Sequence, residues 1–538
     1  MTTNELRTND FDFIIVGGGT AGCVVASRLT EYLPNKKVLL IEGGPSDYED
    51  DRVLLLKDWL KMLGGDMDYD YGTTEQPRGN SHIRHSRAKV LGGCSSHNTL
   101  ISFRPFEYDC DRWVARGAIG WDFKTFTRVL DNLRNTIQPV SHHHQNQINK
   151  DWLEASSKAF NIPIVPDFNK EIVRDGNLSP SAGFLSVAYN PSDGRRSSAS
   201  VAYIHPILQG SENRPNLTIL TNAWVSKVNV EHGRANGVNV TLQNGEKQRL
   251  FARAETILCA GAIDSPRLLL HSGLGPRQQL TDLGIPVISH LPGVGENLMD
   301  HPETIIIWEL NRPAPEETVM SSDAAVFLRR EPYNAAGDDK EVVDMMFHCY
   351  QIPFCLHTER LGYDKPTDAF CMIPNVPRSR SRGRVYLTSA EPSVKPALDF
   401  RYFTDPDGYD EATIVESLKV SREVAKQEPF KSWIKREVAP GPKVQSDEDL
   451  SEYGRRVAST VYHPCGTLRM GNTERDELAV VGPDLRLKGI GSIRVADASV
   501  FPEIPTINPM VTVLGVGERC AELVAQAWGW RGLEGQKL

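Results

Sequence analysis

Three glycines and one acid near the N-terminus have the spacing needed to hold a dinucleotide. Gly17, Gly19 and Gly22 follow the apolar run of residues 11–16, and Glu42 stands 20 residues after Gly22, at the end of a second apolar run, Val38-Leu39-Leu40-Ile41. Each glycine has a mechanical reason: Gly17 permits a tight turn, Gly19 lets the backbone approach a pyrophosphate, and Gly22 lets a helix pack closely on a strand. The phosphates would rest on the helix N-terminus. An acid at position 42 suits a ribose 2′-hydroxyl better than a 2′-phosphate, without separating NAD from FAD. A second glycine-rich run, Gly92-Gly93-Cys94-Ser95-Ser96, offers free backbone N–H groups to a phosphate or an anionic ring edge, and His97 follows it at once. Its local sequence leaves three roles open: hydrogen-bonding core residue, general base or covalent attachment point. Asp497, beside a loop start, could hold a phosphate-proximal water.

These groups need elements to position them. From Ala21 the apolar pattern changes from a strand period to a helix period, so residues 11–42 read as strand, turn, helix and strand in one βαβ unit. Residues 52–63 have the i, i+3, i+4 spacing of an amphipathic helix, with Trp59 on it as either core or ligand contact. A helix is predicted to start at Asp122. Residues 216–252 alternate apolar and polar around an Asn244-Gly245 turn, which predicts an antiparallel insertion. Residues 255–261 return to a buried-strand pattern, followed by a helix capped by Asp264 or Ser265 with Pro266 in its first turn. The nucleotide-binding domain is therefore expected to be discontinuous, made of residues 1–155, 216–300 and 456–538. Residues 301–455, with 156–215 as a further segment and linker, would form a second lobe covering the cofactor. That lobe has strand patterns at 304–310, 342–350 and 369–373 and a helix at 409–426, and the chain closes on a helix at about 509–528.

At 538 residues, with 40% hydrophobic and 24% charged, the chain reads as a globular protein large enough for more than one lobe. A net charge of -9 leaves no basic surface for nucleic acid. No apolar stretch is long enough to span a bilayer, and the polar N-terminus runs straight into the first strand without a signal peptide, so the expectation is an intracellular, cytoplasmic protein with no membrane partner. The terminal Gln536-Lys537-Leu538 resembles a peroxisomal address, with Gln where a small residue is expected. Nine cysteines without a CxxC pair read as reduced, mostly buried thiols rather than a metal site, and His142-His143-His144 reads as a solvated loop.

Six stretches in order resemble the glucose-methanol-choline (GMC) oxidoreductase family of FAD enzymes: VGGGTAGCVVASRL at 16–29, KVLGGCSSHN at 89–98, GAIDSPRLLLHSGLGP at 261–276, GVGENLMDHPE at 293–303, YHPCGTLRMG at 462–471 and VADASVFPEIPTINP at 495–509. HCYQIPF at 348–354 and DFRYFTDPDGYD at 399–410 are similar to its choline-oxidising members. The resemblance implies an α/β fold (α+β overall), with a Rossmann-like FAD-binding domain and a substrate domain built on an antiparallel sheet. It implies FAD contacts at Gly17, Gly19, Thr20, Ala21, Gly22, Glu42, Gly93, His97, Asn98, Val225, Asp497, Ala498, Asn508 and Pro509, with His97 bonded covalently to the flavin 8-methyl carbon. It makes His463 the active-site histidine, Asn508 its partner, His348 and His301 further active-site histidines, and Thr99 a flavin neighbour where those members carry serine. Glu303 would pair with a trimethylammonium group among Trp59, Phe354 and Tyr462.

The implied activity is oxidation of choline through betaine aldehyde to glycine betaine, with O2 reduced to H2O2, by a homodimer. An oxidase or dehydrogenase of another primary alcohol, or a hydroxynitrile lyase, is the alternative within the family. The chemistry is consistent with these roles. A histidine can take the hydroxyl proton. A quaternary ammonium has no N–H to donate, so a carboxylate and aromatic faces, each worth about 0.5 to 2 kcal/mol, must hold it. The choline-oxidising members carry a Trp-Trp pair where this chain reads Met320-Ser321-Ser322, so one wall of that cation site is expected to be missing.

Overall fold

The computed structural model describes residues 11–330 and 342–532. The terminal tripeptide 536–538 and the polar start of the chain lie outside the described residues. The molecule is built on two large sheets. The first takes its central strand, Phe11–Val16, from the N-terminus and pairs it in parallel with Val38–Ile41 on one side and with the distal half of Lys247–Leu258 on the other. Leu217–Leu220 extends it in parallel beyond Val38–Ile41, and Ile493–Val495 adds in parallel to Lys247–Leu258.

Lys247–Leu258 serves two structures at once. Its first half pairs antiparallel with Arg234–Thr241, which pairs in turn with Trp224–Glu231. Along that half exposed and buried residues alternate, as in a sheet with one wet face, whereas its last five residues are all buried, as in a parallel sheet covered on both sides. Two helices, Thr20–Tyr32 and Met510–Ala527, lie together on the sheet, joined by the buried Arg28–Glu518 ion pair that Tyr203 completes from the side. The expected α/β fold with strands gathered from distant parts of the chain is present.

The second sheet is antiparallel throughout. Its main path runs Ile434–Ala439, Ile306–Leu310, Ala369–Asn375, Met345–Tyr350, Ala324–Leu328 and Ser181–Phe184. The helices Gln147–Phe160 and Tyr409–Ala425 pack behind it. Two short strands branch off toward the first sheet: Pro302–Glu303 pairs with Ala369–Asn375 and with Ser459–Thr460, placing Pro302 opposite Thr460 and Glu303 opposite Ser459.

Several local expectations need correction. Residues 52–63 are not one helix. A single turn, Asp51–Leu54, breaks at the extended Leu55 and resumes as the 3₁₀ segment Leu56–Met62. The cause is long-range, because Leu55 bridges Arg195 and the Leu56 N–H goes to the Gly194 carbonyl, neither of which is visible in the local period. Residues 216–252 are not wholly antiparallel, since Leu217–Leu220 joins the parallel edge of the first sheet. The helix after the buried strand starts at Gly261, not after Asp264. Gly261 turns the corner at φ 86°, Pro266 falls inside the helix, and Asp264 instead binds Tyr71 and Arg267. The glycine run at 92–96 is tighter than a loop, a 3₁₀ turn over Gly93–Ser96 entered through the left-handed Gly92. The hairpin at Asn244-Gly245 and the cap at Asp122 are as expected. All nine cysteines are free, and eight of them are buried. No group of metal-ligating residues is found among the described residues, and no helix among them is long and apolar enough to cross a membrane.

Gly22 shows how tightly the first βαβ unit is drawn. A Cβ placed there would stand 1.9 Å from the Gly17 carbonyl oxygen, so any side chain must push the helix off the strand. Overpacking of this kind costs about 1–3 kcal/mol. Gly22→Ala is therefore expected to lower the melting temperature, measured by thermal unfolding of the purified protein.

Candidate active site

A single elongated cleft runs from the first sheet to the second. At one end Gly17, Gly19, Thr20 and Ala21 line it at the start of the helix Thr20–Tyr32, with Glu42 at the tip of the neighbouring strand. Glu42 is held by the N–H groups of Gly18 and Gly44 at 2.9 and 2.8 Å, and burial pushes its pKa up to about 7. Gly22 does not line the cleft; it serves the packing described above. Val225 lines the same end from the strand Trp224–Glu231. In the middle stand Gly93, His97, Asn98 and Thr99 on one wall and Asp497, Ala498, Asn508 and Pro509 on the other. A Cβ on Gly93 would meet the Gly19 Cα at 2.5 Å, so the two glycine turns are pressed together with no room for a side chain between them. Asp497 is already committed, accepting from Gly261 N–H, Ser265 hydroxyl and Ser499 N–H, and so ties the ends of two parallel strands to the helix that follows.

His97 is buried with one edge in a polar nest. Its Nε2 lies 3.3 Å from the Met62 carbonyl, 3.4 Å from Ser86 Oγ and 3.8 Å from Asp68 Oδ2. Asp68 also accepts from the Ser86 hydroxyl and from the N–H groups of Gly64, Asp70 and Arg87. Burial lowers the His97 pKa to about 4 in spite of that carboxylate.

At the far end His463, His348, Asn508, Glu303, Trp59 and Tyr462 converge. His463 is fixed from both sides: its Nδ1 is 2.8 Å from His301 Nδ1, and its Nε2 is 3.5 Å from Asn508 Nδ2. His301 is buried behind His463 and is not part of the cleft wall, so it orients the ring rather than touching a ligand. The Pro377 and Pro505 carbonyls lie against His301. The Nδ1···Nδ1 contact needs one donor and one acceptor: with His463 Nδ1–H donating to His301 Nδ1, the His463 Nε2 lone pair faces Asn508 Nδ2 and the cleft, and His301 carries its proton on Nε2, which is buried without a hydrogen-bond partner. Burial holds all three histidines neutral: His463 well below the ordinary imidazole value, His348 at about 4 and His301 at about 3.

Asp300 organises this corner without lining the cleft. It accepts from Thr460 and Tyr402 hydroxyls at 2.5 Å each and from the His463 N–H at 2.9 Å, and Tyr402 is in turn 3.1 Å from His85 Nε2. Burial raises the Asp300 pKa to about 6. The clamp matters because the preceding Tyr462 sits at φ 63°, a left-handed conformation that a bulky residue adopts only under constraint. The Tyr462 N–H goes to Thr460 Oγ1 and its carbonyl accepts from Arg87.

Three expected ligand contacts lie off the cleft wall: Gly22 and His301, described above, and Phe354. Phe354 packs behind Tyr350, with ring centroids 4.6 Å apart. Tyr350 itself lines the cleft, as does Ser322, and neither was singled out from sequence. The signal for Tyr350 was available, since His348 and Tyr350 are two apart on the strand Met345–Tyr350 and must share a face.

Three polar features ask for a ligand. Both ring nitrogens of His348 and the Asn508 Oδ1 are buried without a hydrogen-bond partner, and no described residue pairs with the buried Glu303 carboxylate. A helix N-terminus and an acid at one end, two glycine turns in the middle and a histidine–asparagine pair at the other fit the phosphates, ribose and ring system of an extended dinucleotide with a reactive end.

This fold and cleft define an FAD-dependent oxidoreductase acting on alcohols. The chain belongs to the GMC oxidoreductase family, whose N- and C-terminal models match residues 11–303 and 379–517. It is 40% identical to choline oxidase of Arthrobacter globiformis over 97% of this chain and 96% of that protein. It is 32% identical to an oxygen-dependent choline dehydrogenase of Staphylococcus xylosus, over 96% and 94% of the two chains. Among solved structures, pyridoxine 4-oxidase from Mesorbium loti superposes with a TM-score of 0.86 at 26% identity, covering 95% of this chain and 99% of that one. A formate oxidase variant of Aspergillus oryzae does so with 0.86 at 25%, covering 96% and 98%.

Removing the Asp300 carboxylate should release the strained corner and displace Tyr462 and His463 while leaving the dinucleotide end of the cleft as it is. Asp300→Ala is expected to lower kcat for alcohol turnover by about 10²-fold, the typical cost of misplacing a catalytic group. Flavin content should stay near wild type, and Asp300→Asn, which keeps an acceptor for the His463 N–H, should fall between. Steady-state kinetics normalised to bound flavin checks this.

Proposed function

We propose that the protein oxidises choline to betaine aldehyde and on to glycine betaine, reducing O2 to H2O2. The observation that carries this reading is Glu303: a buried, unpaired carboxylate on the wall of the reactive end, close to Tyr462, in a cleft that Trp59 also lines. Burial raises its pKa well above the ordinary carboxylate value, so an ionised Glu303 needs a cation to compensate it. A trimethylammonium group supplies that charge without requiring a hydrogen bond.

FAD bound in the cleft supplies the two-electron acceptor. The rest of the chemistry belongs to this chain. With the ammonium end at Glu303, the substrate hydroxyl is directed toward His463, whose neutral Nε2 takes the hydroxyl proton. His348, whose ring nitrogens have no partner among the described residues, donates its N–H to the oxygen as negative charge develops on it, and the Asn508 amide N–H beside His463 Nε2 is the second donor. The aldehyde hydrate repeats the arrangement, one of its hydroxyls meeting the same base. The His97 ring, anchored beside Asp68 and Ser86, is the proposed point of covalent attachment for the flavin, and a homodimer is part of the same reading. A hydroxynitrile lyase acting on neutral cyanohydrins would gain nothing from Glu303.

Anaerobic choline is expected to bleach the flavin absorbance; no bleaching with any alcohol would sink the oxidase reading. Because a carboxyl is neutral below its pKa and charged above it, kcat/KM for choline should fall as pH drops through the raised Glu303 value. The profile for the uncharged analogue 3,3-dimethylbutan-1-ol should lack that limb. Glu303→Gln should raise KM for choline far more than for the analogue; an equal rise would count against the cation site.

Covalent attachment predicts a yellow pellet after acid precipitation of the wild type. His97→Asn should leave the yellow colour in the supernatant. Flavin released from the wild type as well would rule the bond out.

A further inference from the structure

Where the sequence leads one to expect a gap in the cation site, the structure puts a ring. The turn at residues 318–323 is drawn tight by Asp323, which accepts from the Thr318 hydroxyl and from the N–H groups of Val319 and Met320, with Ser321 at φ 60°. It carries no aromatic side chain. Its Met320 carbonyl takes the Trp59 indole N–H at 3.0 Å, so the turn backs Trp59, and Ser322 reaches the cleft. The adjacent strand then runs beside this turn, with Gln351 N–H donating to the Ser321 carbonyl at 3.1 Å. That bond sets Tyr350 alongside Ser321 and Ser322.

The direction of Tyr350 follows from strand alternation. His348 and Tyr350 face the cleft, whereas Cys349 between them turns into the core, with its thiol 3.4 Å from Asn149 Oδ1. The Tyr350 ring lies 6.1 Å from the Trp59 ring at an interplanar angle of 25°, and Phe354 supports its other side at 4.6 Å. Rings this close cannot sandwich a trimethylammonium group between them, since a cation lies up to about 6 Å from each ring centroid it contacts. They instead stand as a near-parallel pair, both members of which line the cleft. Glu303 and Tyr462 are the charged and phenolic neighbours that Tyr350 senses most strongly. Among the described residues its hydroxyl has no hydrogen-bond partner, so no other bond accounts for the ring being held there.

We propose that Tyr350 is a specificity-determining residue of the ammonium site, its ring face supplying the aromatic wall that the Met320–Ser322 turn does not. This rests on the choline reading above and deepens it: the site takes methylated ammonium alcohols through Glu303, Trp59, Tyr462 and Tyr350 together. The contact is through the π face. The phenol oxygen has no role with a quaternary ammonium, which offers it no N–H.

The test separates face from bulk and from hydroxyl. With rates normalised to bound flavin, Tyr350→Leu should raise KM for choline roughly 3- to 30-fold while changing that for 3,3-dimethylbutan-1-ol by less than about twofold. Tyr350→Phe should leave both within about the same twofold margin. As a variant set that preserves shape, phenylalanines carrying one, two and three ring fluorines at position 350 should raise KM for choline step by step, because fluorine drains the negative face of the ring. An unchanged choline KM in Tyr350→Leu and across the fluorinated series, or equal shifts for choline and the neutral analogue, would overturn the assignment. In that event choline oxidation by the wild type would leave the parent reading standing. A wild type that does not oxidise choline would overturn both.

Discussion

The active end of this enzyme depends on one buried carboxylate that never meets the ligand. Asp300 stands beside the two-residue ladder of Pro302–Glu303 with Ser459–Thr460, a branch of the second sheet. Its donors come from the second lobe (Tyr402) and from the C-terminal segment (Thr460 and His463). A carboxylate buried without such donors costs several kcal/mol, and one fully supplied with them becomes a rigid junction. The residue that follows it, His301, fixes the His463 ring, so two consecutive residues control both the backbone and the side chain of the base. The left-handed Tyr462 is a consequence of that grip, since it turns the chain between the two points that Asp300 holds.

The electrostatics of the cleft follow the same economy of polar contact. Burial has been used to keep His463, His348 and His301 neutral, which suits a proton acceptor and its neighbours. At Glu303 the same burial has the opposite use. It leaves a carboxylate without compensation from the protein, the feature on which the proposed ammonium site rests. The cleft is thus polar along the dinucleotide, dry and basic at the histidines, and acidic at its far wall.

How much of this was readable from the chain alone depended on distance along the sequence. The fingerprint at Gly17, Gly19, Gly22 and Glu42 was legible because strand, turn, helix and strand are contiguous and Gly22 answers the local Gly17 carbonyl, although the backbone that crowds Gly17 and Gly19 comes from the distant Cys259 and Gly93. His463, Asn508 and Glu303 were not legible from spacing, since the pairing of short strands 160 residues apart brings them together, and only the family resemblance drew attention to them. Residues 52–63 misled because a helical period was interrupted by a bridge to Gly194 and Arg195, and Leu217–Leu220 because its partner is the distant Val38–Ile41. Tyr350 was overlooked although strand periodicity alone pairs it with His348. Phe354 shares its aromatic character but supports it from behind.

The double use of Lys247–Leu258 has a consequence for how the molecule is made. The first described strand, Phe11–Val16, is the centre of its sheet, yet one of its two neighbours is synthesised more than 230 residues later. At about 5–20 residues per second, an apolar strand edge waits roughly 10–50 s for that partner, and the sheet is not closed until Ile493–Val495 arrives after a comparable delay. Biosynthesis therefore passes through a long-lived nascent form with a sticky, half-built sheet.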